Sequence, residues 1–215
     1  MSLVHSAADI FNKHALLYQS RFMDVSLYAD TFDRFCSHLA NGAKVLELGC
    51  GPGNITRHLL HLRPDLRILA TDIAPKMLEL ARVNSPGAEF LLLDCRNLGS
   101  ITETYDGILC GFCLPYISED ESTSLIRSCA TALSPKGILY LSCMEENDHY
   151  RSGIKTNSAG EQLRMFYHSA RFLTDTLRDA GFRDVELSRK ITQAGDEPAN
   201  TDLVLMAHKA GIVFE

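Results

Sequence analysis

Val45-Leu46-Glu47-Leu48-Gly49-Cys50-Gly51-Pro52-Gly53-Asn54 is the stretch that decides how the rest of the chain is read. Four mostly apolar, strand-like residues run into three glycines at alternate positions, and a helical pattern marked by Ile55, Leu59 and Leu60 begins just beyond. A glycine turn between a buried strand and a helix lets a ligand come close to the main chain. No Cβ intervenes, and the start of the helix offers unpaired N–H groups. The dinucleotide fingerprint G-x-G-x-x-G needs glycine at position 54, where this chain has Asn54. Gly53 comes one place too early, and the acidic Glu47 stands two residues before the first glycine, so the nicotinamide pattern does not fit.

Working outward, the spacing predicts seven strands, at 43–48, 67–71, 89–93, 105–112, 138–143, 182–188 and 202–207. Helical patterns separate them. Ala74-Pro75 opens one, with Met77, Leu78 and Ala81 on a single face. Ser118-Glu119-Asp120-Glu121 is a capping box that starts another, with Leu125, Ile126, Cys129 and Leu133 inward. Ser134-Pro135-Lys136-Gly137 is a turn. A further helix runs from Ser169 through Leu173, Leu177 and Ala180 to Gly181. The loop before the last strand contains Gly195-Asp196-Glu197-Pro198, too short and too rich in breakers for a crossover helix. The last strand is therefore expected antiparallel to its predecessor. Two helical patterns occupy 5–40, one through Ile10, Phe11, Ala15 and Tyr18, the other through Leu27, Phe32, Phe35 and Leu39. Residues 144–168 break the periodicity and read as a long irregular connection, with 152–160 expected to be mobile. Asp72 follows the second strand about twenty residues after the glycine turn, where an acid can accept hydrogen bonds from both hydroxyls of a ribose.

The segment Glu47-Leu48-Gly49-Cys50-Gly51-Pro52-Gly53-Asn54 resembles motif I of the class I S-adenosylmethionine-dependent methyltransferases, and the later landmarks follow in that family's order over roughly positions 40–210. The resemblance implies a doubly wound α/β domain over 1–215: a mostly parallel seven-stranded sheet with an antiparallel last strand. An N-terminal helical cap, 1–41, would lie over the site. It also implies that S-adenosylmethionine is the cofactor and S-adenosylhomocysteine the product. The cofactor would lie against Glu47, Gly49, Cys50, Gly51, Gly53 and Asn54, with Asp72 on its ribose and Ile73 and Met77 packed beside it. Asp94 and the Cys95 amide would hold the adenine, and Gly111 and Phe112 the methionyl end.

The methyl acceptor is expected to be a small molecule. Its pocket candidates are Tyr18, Phe22 and Tyr28 from the N-terminal helices, Tyr116 from the fourth strand's end, and Tyr150, Arg151 and Tyr167 from 144–168, read as a lid. His149 and His168 are the general-base candidates. Base methylation is set aside: of the Asn/Asp/Ser-Pro-Pro-Tyr/Phe motif that holds a planar amine, Cys113-Leu114-Pro115-Tyr116 keeps only the final Pro-Tyr. A binding module without turnover, a protein or RNA methyltransferase and a nicotinamide oxidoreductase are the competing readings.

The composition is that of an ordinary globular domain, 46% hydrophobic and 22% charged. A formal net charge of −6 with no dense basic run weighs against a nucleic-acid partner. The N-terminus lacks the basic-then-apolar character of a leader and no apolar run reaches membrane-spanning length. The seven cysteines then fit free thiols in a reducing cytoplasm. Cys110-Gly111-Phe112-Cys113 has C-x-x-C spacing, but no second pair completes a metal site, so no metal is expected. Monomer and homodimer are equally compatible with the sequence.

Overall fold

The computed structural model describes residues 4–157, 159–192 and 199–210. Its centre is a seven-stranded sheet. In chain order the elements begin with β1 (Val4–His5), α1 (Ala7–Lys13), α2 (Ala15–Phe22), α3 (Ala29–Ser37), β2 (Lys44–Leu48), α4 (Asn54–Leu62), β3 (Arg67–Asp72), α5 (Pro75–Asn84) and β4 (Glu89–Leu92). They continue with β5 (Tyr105–Gly111), α6 (Glu119–Ala132), β6 (Leu133–Met144), β7 (Gly153–Thr156), β8 (Gln162–Met165), α7 (Ala170–Asp179), β9 (Phe182–Thr192) and β10 (Asn200–Lys209). The sheet order is β4-β3-β2-β5-β6-β10-β9, and only β10 runs against its neighbours.

Side-chain alternation along the strands explains the two helical layers. Val45, Leu109, Tyr140, Val204 and Met206 point to one face, where Phe32 and Phe35 of α3, Ile55 and Leu59 of α4 and Leu78 and Ala81 of α5 pack on them. Leu46, Leu48, Ile108, Leu139, Leu141, Leu203 and Leu205 point to the other face, under Leu125, Ile126 and Cys129 of α6 and Leu173 and Leu177 of α7. Right-handed crossovers put α4 and α5 on one side and α6 on the other, so the strand order reverses between β2 and β5. A crevice outside the carboxyl ends of the strands opens at such a reversal.

The structure departs from the sequence expectations in four places. The turn expected at 134–137 lies within β6, which begins at Leu133 and passes through it with Lys136 at φ +67°. The first N-terminal pattern is two helices, because His14 takes φ −107° and ψ 20° and separates α1 from α2. A 3₁₀ turn, Ser26–Tyr28, then precedes α3. The segment 144–168 is not an irregular loop throughout. It contains the hairpin β7–β8, and β8 also pairs in parallel with β1, giving a separate three-stranded sheet. The helix- and loop-like composition concealed this because the hairpin strands are short and their partner lies at the other end of the chain. The sixth and seventh strands also run longer than expected, at β9 and β10. The breaker-rich loop at 195–198 lies outside the described residues.

Candidate functional site

The glycine turn has the backbone its composition suggests. Gly49, Gly51 and Gly53 have φ of +67°, +53° and +79°, the left-handed region that penalises any Cβ. At Gly49 a Cβ would also stand 2.1 Å from the Cys113 sulfur. The turn is fixed from the next strand: the Cys50 N–H donates to the Thr71 carbonyl at 2.8 Å and the Gly51 N–H to Asp72 Oδ2 at 2.9 Å. Asp72 Oδ1 accepts from the Ala74 N–H at 2.8 Å, so this carboxylate ties the glycine turn to the start of α5. Burial raises its pKa against the pull of those N–H groups.

Beside this turn lies a cleft, half open to solvent. Gly49, Gly51, Asp72 and Ile73 form one side, and Met77, Leu93, Asp94 and Cys95 continue it. Gly111, Phe112, Cys113, Tyr116 and Ile117 close the β5 end, while Ala7, Phe11 and Tyr18 cover it from the N-terminal helices. The cover is aromatic: Phe11 meets Tyr18 edge-on at 5.6 Å and Tyr116 at 4.9 Å. Burial pushes the Tyr18 phenol up to about 12, so it stays protonated. Phe112 itself has φ +55°, a backbone conformation that costs a non-glycine residue about 1–3 kcal/mol and marks the end of β5 as a constrained position.

Of the residues proposed from the sequence, Gly49, Gly51, Asp72, Ile73, Met77, Asp94, Cys95, Gly111 and Phe112 lie on the cleft wall, as do Tyr18 and Tyr116. Four neighbours of the turn do not. Glu47 is 1% exposed and accepts from the Thr56 hydroxyl at 2.6 Å, with Oε1 unpartnered among the described residues. Burial pushes the Glu47 carboxyl up to about 8. Cys50 is buried in the core, and Gly53 is wedged against Ala81 and Ser85. Asn54 donates to the Phe22 carbonyl at 2.8 Å, pinning the end of α2. These four build the turn from behind.

The acceptor-side candidates divide similarly. Phe22 is exposed and leans on Tyr18, with ring centroids 4.6 Å apart. Tyr28 is off the wall but meets Phe112 edge-on at 5.4 Å. Tyr150 and Tyr167 pair at 5.8 Å away from the cleft wall, with the Lys155 ammonium 5.5 Å from the Tyr167 ring centre. Arg151 reaches Asp148 at 3.4 Å on the surface. His149 is exposed on its loop. His168 is fully buried, its Nε2 3.0 Å from the Leu114 carbonyl and its ring stacked on Phe172. Burial lowers its pKa. Neither histidine lines the cleft.

Residues 45–137, which run from β2 through β5 and α6 into the start of β6, match the family described as a methyltransferase domain. Over these residues the chain is similar to methyltransferases. Among curated relatives, it is 35% identical over 101 residues to a trans-aconitate 2-methyltransferase of Variovorax paradoxus, covering 47% of this chain and 38% of that protein. It is 30% identical over 108 residues to a ubiquinone biosynthesis O-methyltransferase of Xanthomonas oryzae pv. oryzae, covering 48% of this chain and 44% of that protein. The chain spans about two-fifths of the length of these relatives. In fold, the chain is similar to the Burkholderia thailandensis 1,6-didemethyltoxoflavin-N1-methyltransferase, a structure with bound 1,6-didemethyltoxoflavin and S-adenosylhomocysteine. The TM-score is 0.71 at 21% identity, covering 98% of this chain and 93% of that one.

Several cleft residues escaped the sequence reading. Phe11 reads as part of the first helical pattern, but it reaches the cleft because α1 and α2, broken at His14, bring its ring edge-on to Tyr18. Arg96 could not be found by spacing alone. Its guanidinium grips both Asp94 oxygens and reaches Glu121 Oε1 at 3.0 Å, holding the Asp94 carboxyl below the usual range. Cys113 completes a thiol group with Cys95 and Cys110, which the C-x-x-C spacing half disclosed. Among the described residues no group of three or more ligands is placed to hold a metal ion.

Proposed function

We propose that the protein transfers a methyl group from S-adenosylmethionine to a small-molecule acceptor. The observation that carries the reading is the juxtaposition, at the strand-order reversal, of the left-handed Gly49–Gly51 turn with the buried Asp72 carboxylate. The residues fit the cofactor. Gly49 and Gly51 expose main chain to a ligand where side chains are excluded, and Asp72 has acceptor capacity for ribose hydroxyls. Asp94 and the Cys95 amide offer an acceptor and a donor side by side for adenine, between the apolar walls of Ile73, Met77 and Leu93. Gly111 and Phe112 stand at the methionyl end. When bound, the cofactor supplies an activated methyl on a sulfonium. The chain's own task is alignment and exclusion of water, for which the Phe11–Tyr18–Tyr116 cluster over the cleft is suited.

We read 1–215 as one catalytic unit, with 144–168 as the acceptor-selecting cover. Among the described residues no helix is long and apolar enough to cross a membrane. The seven unbridged cysteines support a reducing compartment such as the cytoplasm. Calorimetric titration with S-adenosylmethionine and S-adenosylhomocysteine tests the reading. Saturable binding of both is expected. Failure of a folded protein to bind either overturns it. Binding of both with no transfer to any member of a broad metabolite set points instead to a non-catalytic binding module.

A further inference from the structure

With neither His149 nor His168 on the cleft wall, the carboxyl edge of the sheet must be searched for another group that can take a proton. The search leads to the start of β10. Phe112 is fixed to β6 by its N–H, which donates to the Ser142 carbonyl at 3.0 Å. Two residues further along β6, Met144 pairs in register with Asp202. Asp202 is 3% exposed. One of its oxygens, Oδ2, accepts from the Tyr28 hydroxyl at 2.6 Å, and Oδ1 accepts from the Asn200 amide at 2.8 Å. The Tyr28 ring in turn covers Phe112 on the cleft wall. A buried carboxylate is thus hydrogen-bonded to a tyrosine that stands behind the cleft wall and packs on Phe112, a residue of that wall. Burial raises the pKa of Asp202, which suits a group that must end protonated. The Asn200 carbonyl oxygen beside it is buried without a partner among the described residues.

The same edge has little to offer an anionic acceptor. The cation on the cleft wall, Arg96, is committed to Asp94 and Glu121. Arg189 is held by Glu145 through two contacts, and Lys190 by Asp30.

We propose that Asp202, acting through the Tyr28 hydroxyl, accepts the proton released on methylation, so that the acceptor's nucleophilic atom is an oxygen or nitrogen bearing hydrogen. The inference rests on the methyltransferase reading above. As the acceptor's bond to the methyl carbon forms, the sulfur–methyl bond breaks and its electron pair stays on sulfur. The acceptor proton passes to Tyr28 Oη, and the Tyr28 proton passes to Asp202 Oδ2. The sulfonium's positive charge and the carboxylate's negative charge disappear together, which leaves the net charge of the site unchanged.

Three measurements on the whole chain test this. S-adenosylhomocysteine affinity is measured by calorimetry for wild type, Asp202→Asn and Tyr28→Phe, and should be unchanged by either substitution. No binding by wild type overturns the methyltransferase reading and this inference with it. Ligand-observed NMR on the S-adenosylhomocysteine-saturated protein then uses matched probes: phenol, catechol and benzylamine, each against its methylated counterpart. The proton-bearing member of at least one pair should bind about tenfold tighter to wild type, a preference lost in both variants. Absence of any preference, or one that survives both substitutions, overturns the inference even where S-adenosylhomocysteine binds normally.

Finally, turnover of the preferred probe with S-adenosylmethionine should fall by about a hundredfold in Asp202→Asn. The wild-type rate should rise with pH through one ionisation and the variant's should not. The other ionisable groups near Asp202 are Tyr140 and Cys143 on β6, Glu145 beyond it and Lys190 on β9. A pH profile that persists in Asp202→Asn assigns the ionisation to one of these and overturns the assignment. If Asp202→Asn does not fold, Tyr28→Phe decides, since it keeps the ring on Phe112 and removes only the relay.

Discussion

The glycine-turn edge of the sheet and the cover that lies over it are held by different forces. The edge is made of buried strands: β2 and β5 are fully paired on both sides, and Leu46, Leu48, Ile108 and Leu109 have no exposed surface. Main-chain bonds to Asp72 and Thr71 fix the turn from within. The cover over the cleft comes from α1 and α2, and β1 and the β7–β8 hairpin adjoin them, elements of two to eight residues with Leu16, Leu17, Phe22 and Ile154 exposed. Its cross-ties are polar and peripheral. Glu161 accepts from Lys13 and pairs with His14, each at 2.6 Å, and Asn157 caps the hairpin turn by accepting the Ala159 and Glu161 N–H groups. Cooperative burial keeps the first region in one geometry, whereas the second is held by the Glu161 ion pairs and by one small cluster, Ala15 of α2 against Ala74 and Met77. A rigid base under an adjustable cover is the arrangement expected where one ligand is constant and another must enter and leave.

The sharpest test of this contrast is Gly49→Ala. The new Cβ would occupy the position of the Cys113 sulfur on a left-handed backbone. Strain and overpacking should together cost about 2–4 kcal/mol, read from urea denaturation. A loss under about 1 kcal/mol would show that the base yields as readily as the cover. Next in size, Asp72→Ala should weaken S-adenosylmethionine binding by about 1.5–3 kcal/mol in calorimetry, the scale of a lost charge-assisted hydrogen bond. Unchanged affinity would remove the ribose assignment.

A graded effect is expected behind the turn. The Glu47 carboxyl is pushed up to about 8 by burial, so between its ordinary value of 4.5 and that point the folded state binds more protons than the unfolded one. Stability should therefore fall as pH rises through this window, at up to about 1.4 kcal/mol per pH unit. Denaturation at several pH values should show Glu47→Gln flattening this slope. The smallest effect belongs to the cover. Glu161→Gln should leave the global unfolding midpoint unchanged while amides of β7 and β8 exchange faster with solvent. A drop in the midpoint would mean that the hairpin is part of the cooperative core.

How much could be read without coordinates followed the same division. The capping box at Ser118 and Glu121, the proline start of α5 and the Ser169 cap are local signals, and each stands where the pattern put it. The antiparallel β10 followed from loop chemistry alone. The hairpin β7–β8 was missed because its stability is borrowed from β1, about 160 residues away, which no local pattern encodes. The two histidines were chosen for their chemistry. Their distance from the cleft depends on packing, which buried His168 against Phe172 and left His149 outside.

The amino-acid sequence by itself determined the doubly wound sheet and the place of the glycine turn, because hydrophobic alternation, caps and glycine backbone freedom act within a few residues. Only the tertiary structure decided which of the turn's neighbours face the cleft, which aromatic side chains cover it, and that Asp202 meets Tyr28 across 174 positions of chain. Those outcomes depend on which surfaces dock once the strands are paired, and docking joins residues whose separation along the chain carries no information about their contact.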